Sequence, residues 1–380
     1  MPDLKDELQQ LADEAARQAQ PLAVAEVIRR GDHRQRRRWP GWVAPLAAAA
    51  AVIAVVAGAA AVSSSFRGSR ATVGAGLVHR ATAYVANSGS DTVTPIRIAS
   101  STALPPVKVG ESPIAIAITP DGKTAYVASS ASNTVTPIAT ATNKAGKPIA
   151  VGRMPSAIAI TPNGKTVYVA SIDPGTVTPI VTATNTALPS IKVGSGVRAI
   201  AITPNGKTAY VAGQGTDIVT PIATATNTAL PSIKVGDAPR AIAITPDGKT
   251  AYVANEGSDT VTPIVTATNT ALPSIKVGHA PRAIAITPDG KTAYVANVTP
   301  GTVTPIRIAT NAALPPVEIG HYIEAIAISQ DGKTAYVATG LINAGPGTVI
   351  PISTATNTAL RPVKVGRFPV TIAITAGRRG

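Results

Sequence analysis

No cysteine occurs among the 380 residues, so no disulfide braces the chain and its stability has to come from burial. Aromatic residues are scarce at 3 %, with two Phe, two Trp and eight Tyr. Seven of those tyrosines are committed to a repeated motif, which leaves no stacking platform of the kind single-stranded nucleic acid requires. Nucleic acid is therefore disfavoured as a partner. Only four histidines are present, and no His-Glu-x-x-His, calcium loop or Gly-x-Ser-x-Gly elbow can be found. No catalytic residue, metal ligand or cofactor is expected from motifs. Acidic residues are few as well: 20 Asp and Glu stand against 34 Lys and Arg, a formal net charge of +14. Residues 1–66 carry eight basic and seven acidic residues, so +13 of that charge lies on residues 67–380. A solvated rim of turn lysines accounts for it; attraction to anionic wall polymer or lipid head groups is the functional reading.

What is present in abundance is repetition. Tyr84, Tyr126, Tyr168, Tyr210, Tyr252, Tyr294 and Tyr336 recur every 42 residues, the period of a propeller or solenoid. Within one period, Ala241-Ile-Ala-Ile-Thr245 alternates small and large as a strand does. Thr245-Pro-Asp-Gly-Lys249 is turn chemistry, and Ala251-Tyr-Val-Ala254 is a β-rich run. Thr260-Val-Thr-Pro-Ile264 and Ser274-Ile-Lys-Val-Gly278 supply two further strands. Four strands in about forty residues make one propeller blade. The Gly-Lys-Thr of the turn is no phosphate loop, because Ala243 stands where that motif needs its first glycine.

The array opens on a Tyr-Val strand and closes on Thr371 to Thr375, an Ile-Ala-Ile strand with nothing after it. Ring closure is expected, the last strand completing the blade begun by residues 81–110 and removing two open edges.

Pro-Asp-Gly-Lys followed by Tyr-Val-Ala-Asn and a Thr-Val-Thr strand resembles the YVTN-type, surface-layer-like β-propeller repeat over residues 81–376. The resemblance implies an all-β fold of seven four-stranded blades, displayed outside the membrane in many members and without a known activity in many. The chain departs from that repeat in its third strand, where Thr-Pro-Ile replaces Val-Ile-Asp. A proline cannot donate to a ladder, so bulging or unpairing is expected at Pro95, Pro137, Pro179, Pro221, Pro263, Pro305 and Pro351.

Ahead of the repeats, Asp3 to Arg30 has helical spacing, with Leu4, Leu8 and Leu11 on one face until Pro21 interrupts it. A basic run, Arg29, Arg30, Arg34, Arg36, Arg37 and Arg38, meets Trp39 and Trp42, and no charge appears from Val43 to Val62. About twenty apolar residues suffice for one membrane span. The domain plan is thus a cytoplasmic segment over 1–41, a transmembrane signal anchor over 42–62, a tether over 63–80, the propeller over 81–376 and a tail over 377–380. The arginine cluster places the N-terminus in the cytoplasm and the propeller outside. Cleavage after Ala59-Ala-Ala61 is the rival reading, against which the length of the leader argues.

Where near-identical repeats diverge, packing has released the residue. Divergence concentrates in two loops of each repeat, after the fourth-strand glycine and after Tyr-Val-Ala, which in a propeller share the channel mouth. The richest quadrant is His279, Arg282, His321, Tyr322, Glu324, Arg367 and Phe368, beside a four-residue insertion within Thr339 to Gly347. Loop drift explains such variety too. As a site, it would hold an anionic group on Arg282 and Arg367, with His321 or Glu324 handling protons. Two functional classes stay open: a non-catalytic, membrane-tethered binding or display module for an envelope polymer or protein, and a lactonase-like propeller hydrolase, the latter by fold analogy alone.

Overall fold

The computed structural model describes residues 52–55, 82–97, 102–320, 322–340 and 347–364. All of them belong to the second of two compact units, Ala48–Gly380. The N-terminal helical segment, the tether and the last strand, Thr371 to Thr375, lie outside the described residues.

Seven antiparallel sheets follow one another along the chain, each built on the same plan. In the fifth, the inner strand Pro239–Ile244 pairs with the second strand Thr250–Asn255, and that with the third, Thr260–Val265. An outer strand in two pieces, Thr270–Ala271 and Ile275–Lys276, pairs with the third. Inner strands of successive sheets are neighbours, as blades around one axis require. Seven such sheets, with no helix among the described residues, make a seven-bladed β-propeller.

The third-strand prolines do not bulge that strand. Pro263 sits opposite Tyr252 in an unbroken six-residue register, and the other blades repeat the pairing. The carbonyl of Pro263 accepts a hydrogen bond from Leu272 N at 2.8 Å. In an antiparallel ladder a residue's N–H and C=O point to the same side, so the donor that proline lacks would have faced the outer strand. The interruption falls there, splitting Thr270–Ala271 from Ile275–Lys276. The outermost strand bears the disruption, and the second and third strands keep their ladder.

The bulge lies in the inner strand instead. Register shifts between Pro239 and Ala241, and likewise at Ile114, Ser156, Arg198, Arg282 and Glu324 in the other blades. A bulge leaves one residue unpaired and re-aims its side chain.

Blades are joined by apolar faces and by a tyrosine. Tyr252, Ala254, Val261 and Ile275 of one blade pack on Ala293, Val295 and Ile306 of the next. The Tyr252 hydroxyl donates to Asn311 Oδ1 at 2.6 Å, and five more tyrosines, from Tyr84 to Tyr294, make the same bond to the following blade. Each of these asparagines has φ between 51° and 55°, a left-handed conformation that asparagine tolerates better than most residues. Burial pushes the Tyr252 hydroxyl up to about 12, so it stays a donor at neutral pH.

The ends of the array differ from the expected closure. Val52–Val55 is a strand, not helix, and pairs with Thr82–Asn87 in the register Val52 to Ala86 through Val55 to Ala83. That is the place foreseen for Thr371 to Thr375. Val-Ile-Ala-Val repeats the Ala-Ile-Ala-Ile pattern of the other inner strands, and its β-branched residues suit a strand. No helix of the described residues is long and apolar enough to cross a membrane; the rest of 42–62 lies outside them. On the far side of the array, Leu360 and Val363 in the outer strand of the seventh blade are 47 % and 54 % exposed, whereas Ile275 is 8 % exposed. The face of the last blade is therefore less covered than the six faces before it.

Candidate functional site

The unpaired bulge residues converge at one end of the inner strands. Arg198, Arg240, Arg282 and Glu324 occupy this position in four consecutive blades, and side chains from the loop after each second strand join them. Arg198 Nε donates to Gln214 Oε1 at 2.8 Å, and Gln214 Nε2 to Glu256 Oε2 at 3.2 Å. Arg240 Nη1 reaches the same Glu256 oxygen at 3.1 Å. Arg282 Nη1 pairs with Glu324 Oε1 at 3.0 Å and donates to the Tyr322 hydroxyl at 2.5 Å, its guanidinium 5.4 Å from the centre of the Tyr322 ring.

Three guanidinium groups here face two carboxylates. Burial lowers the Arg240 pKa from its usual range, the positive field of Arg282 adds to that, and Glu256 opposes it. Burial raises the Glu324 pKa, against the pull of Arg282. The mouth thus carries an excess of positive charge, and its guanidinium groups retain donors beyond those used in the bonds above.

Of the seven residues singled out from the sequence, the structure brings together Arg282, Tyr322 and Glu324. His279 is separate: its Nδ1 lies 3.0 Å from Asp259 Oδ2, with the side chain 66 % exposed. Asp259 also accepts the Ala280 N–H at 2.8 Å. The same inter-blade cap is made by Asp91, Asn133 and Asp217, so His279 decorates a structural turn. His321, Arg367 and Phe368 lie outside the described residues, as do residues 341–346 of the inserted loop. Among the described residues no group of three or more His, Asp or Glu is placed to hold a metal. Sequence reading passed over Arg240, Gln214 and Glu256 as site members. The signal was there: Ser88, Ser130, Ile172, Gln214, Glu256, Val298 and Gly340 share one repeat position and differ at nearly every blade.

Clefts of about 520 and 480 Å³ open at the other end of the inner strands, between the Pro-Asp-Gly or Pro-Asn-Gly turns of neighbouring blades. Their walls are repeat residues such as Thr119, Asp121 and Lys123, which bond one another, and belong to the turns.

Comparison with known proteins supports the architecture. The family model described as Lactonase, 7-bladed beta-propeller matches residues 152–276 and 192–319. Hydrazine synthase of Kuenenia stuttgartiensis is similar in structure, with 26 % identity, 68 % of this chain and 88 % of that one covered and a TM-score of 0.57. A functionally unknown protein from Desulfotomaculum acetoxidans DSM 771 is 16 % identical over 76 % of this chain and 99 % of its own, with a TM-score of 0.62. Dihydro-heme d1 dehydrogenase NirN in complex with DHE is 17 % identical over 74 % of this chain and 63 % of its own, with a TM-score of 0.64. No curated protein sequence matches. Fold and comparisons together define a seven-bladed β-propeller.

Proposed function

We propose that the chain is a membrane-tethered, extracytoplasmic β-propeller of the YVTN, surface-layer-like type that binds an anionic ligand of the cell envelope at the mouth built by Arg198, Arg240 and Arg282. The observation that carries this reading is the excess of guanidinium over carboxylate groups on consecutive bulges, where burial and, after it, the field of Arg282 disfavour the Arg240 charge. An incoming anion relieves that repulsion and takes up the unused N–H donors. Long-range attraction by the +13 of residues 67–380 assists the encounter and weakens as salt rises, since the screening length is about 8 Å at physiological ionic strength. Full-length protein should retain anionic wall polymer in a pull-down that rising salt abolishes; retention indifferent to salt, or none, would count against the reading.

The anchor belongs to the same proposal. With 42–62 in the bilayer, Val52–Val55 would have to leave the edge of Thr82–Asn87 with which it pairs in the structure, and Thr371 to Thr375 would take that place. The absence of native cysteine makes topology measurable. A Gly89→Cys chain should react with a membrane-impermeant maleimide on intact cells and a Gln9→Cys chain should not. Equal labelling of both would remove the anchor.

The lactonase family match over residues 152–319 favours a second reading, hydrolysis of a lactone at the same mouth. Glu324, whose pKa burial raises, would supply a proton to the leaving oxygen. Turnover of simple lactones that is lost in Glu324→Gln would establish it, and no turnover would leave the binding role alone.

A further inference from the structure

Between the mouth and the Thr-Pro-Asp-Gly or equivalent turns, the inner strands of the second to seventh blades present the same four-residue wall: Ala115 to Ile118, Ala157 to Ile160, Ala199 to Ile202, Ala241 to Ile244, Ala283 to Ile286 and Ala325 to Ile328. Apart from Ile116 and Ile326, all of these residues are only half-buried, in contrast to the second and third strands, whose apolar residues are nearly all fully buried. No polar side chain interrupts the wall. At its far end the threonine that closes each of the first five of these strands is buried, and its hydroxyl is bound within the turn, as Thr245 is to Asp247 at 2.6 Å; Ser329 makes the same bond in the sixth without being buried.

These side chains pack in part on the cores between blades, and the apolar area they leave to water is unfavourable; on soluble proteins large patches of that kind mark places where something apolar lies. At 3.3 Å per residue, four residues give the wall a height of about 13 Å. One end of it is lined by guanidinium groups; at the other, the turn lysines are exposed, as Lys249 is beside Asp247. The complement to such a lining is a molecule with one anionic end and an apolar body.

We infer that the ligand is an aliphatic carboxylate, its head held by the guanidinium groups of Arg240 and Arg282 and its hydrocarbon chain lying along the alanine and isoleucine wall. This deepens the anion-binding reading above and depends on it. The head displaces no existing carboxylate: Arg282 keeps Glu324, Arg240 keeps Glu256, and the ligand uses the remaining N–H donors. A free carboxylate fits better than a second protein, because the wall is formed by the innermost strands and a single unbranched chain is the narrowest apolar occupant.

Equilibrium dialysis of radiolabelled butanoate, octanoate and dodecanoate against the full-length chain in lipid nanodiscs, with empty nanodiscs as the blank, tests this directly. Affinity should rise about threefold to fourfold for each methylene that reaches the wall. The double variant Arg240→Gln, Arg282→Gln should weaken dodecanoate at least about tenfold and leave dodecanol unchanged. Equal affinity across the series would overturn the hydrocarbon site while leaving the anionic mouth standing. No binding by any of the three, short or long, would overturn both. Dodecanoate binding that the double variant does not weaken would show the head lying elsewhere and overturn the assignment.

Discussion

Arg282 of the sixth blade meets Glu324 of the seventh at 3.0 Å, with side chains only 20 % and 11 % exposed, which sets this pair apart from surface ion pairs that contribute almost nothing. Both residues are bulge residues, one from each blade, so the contact depends on a local irregularity repeated in register.

Replacing Arg282 by Gln strands a half-buried carboxylate, and a loss of about 1–3 kcal/mol is expected at neutral pH. Burial holds the folded pKa of Glu324 above the ordinary value of 4.5. Native protein therefore binds more protons than unfolded protein between 4.5 and the raised value, and stability falls as pH rises through that window. The Arg282→Gln chain should show a steeper fall, and Arg282→Gln with Glu324→Gln should recover most of the loss. Urea unfolding below and above the window checks both; equal losses on either side would contradict the pairing.

The tyrosine staple between blades has a similar signature at the alkaline end. For Tyr84, Tyr168, Tyr210, Tyr252 and Tyr294, burial raises the pKa from 10.0 to about 12. Their stabilisation is complete below pH 10 and is lost as pH climbs toward 12. Tyr252→Phe removes the 2.6 Å bond to Asn311 at a cost of about 1 kcal/mol. Tyr336 is only half-buried, and Tyr336→Phe should cost less. Denaturation midpoints of the two variants provide the comparison.

The turn aspartates supply an acid-side test with a control inside the chain. The pKa of Asp247 is lowered below 3.8, first by the Thr245 hydroxyl and then by the Lys249 N–H, against a small desolvation. Its stabilisation is present above 3.8 and disappears as pH falls through the lower folded value. In the third and fourth blades Asn163 and Asn205 accept the same two bonds and do not titrate. Asp247→Asn should therefore change neutral stability by less than about 0.5 kcal/mol while making acid unfolding shallower. An unaltered acid limb would contradict the assignment.

The glycine ending the fourth strand is required by contact in the first five blades. A Cβ on Gly278 would come within 2.7 Å of Asn297 Nδ2 and of Thr302 Oγ1, beneath a buried cluster of hydroxyl and amide groups. Gly278→Ala should cost about 1–3 kcal/mol by overpacking. Gly89→Ala, where nothing lies within 4 Å, should be close to neutral. Thermal melting of the pair separates packing from the general effect of losing a glycine.

Period and punctuation made much of this legible in advance. Strand placement, blade count and the clustering of divergent positions at the mouth follow from a 42-residue repeat whose tyrosine and turn Gly-Lys never drift. Other features depend on geometry that type and spacing do not encode. The consequence of Pro263 depends on which side of the strand its absent N–H would have faced, and it falls on the outer strand. Arg240 and Glu256 are sixteen residues apart in an ordinary repeat, and only the bulge brings them together. His279 reads as a ligand by residue type, yet Asp259 is shared between it and a backbone N–H. Val52–Val55 mimics an inner strand closely enough to take its place, although an uncharged run reads equally as a membrane span.

The central claim is that the bulge arginines form an anion site. Isothermal titration of the full-length chain with citrate, alongside the Arg240→Gln, Arg282→Gln variant, measures it most directly. Saturable binding that weakens at least about tenfold in the variant and declines with rising salt is the expected result. Binding of equal strength in both chains, or no heat in either, would contradict it.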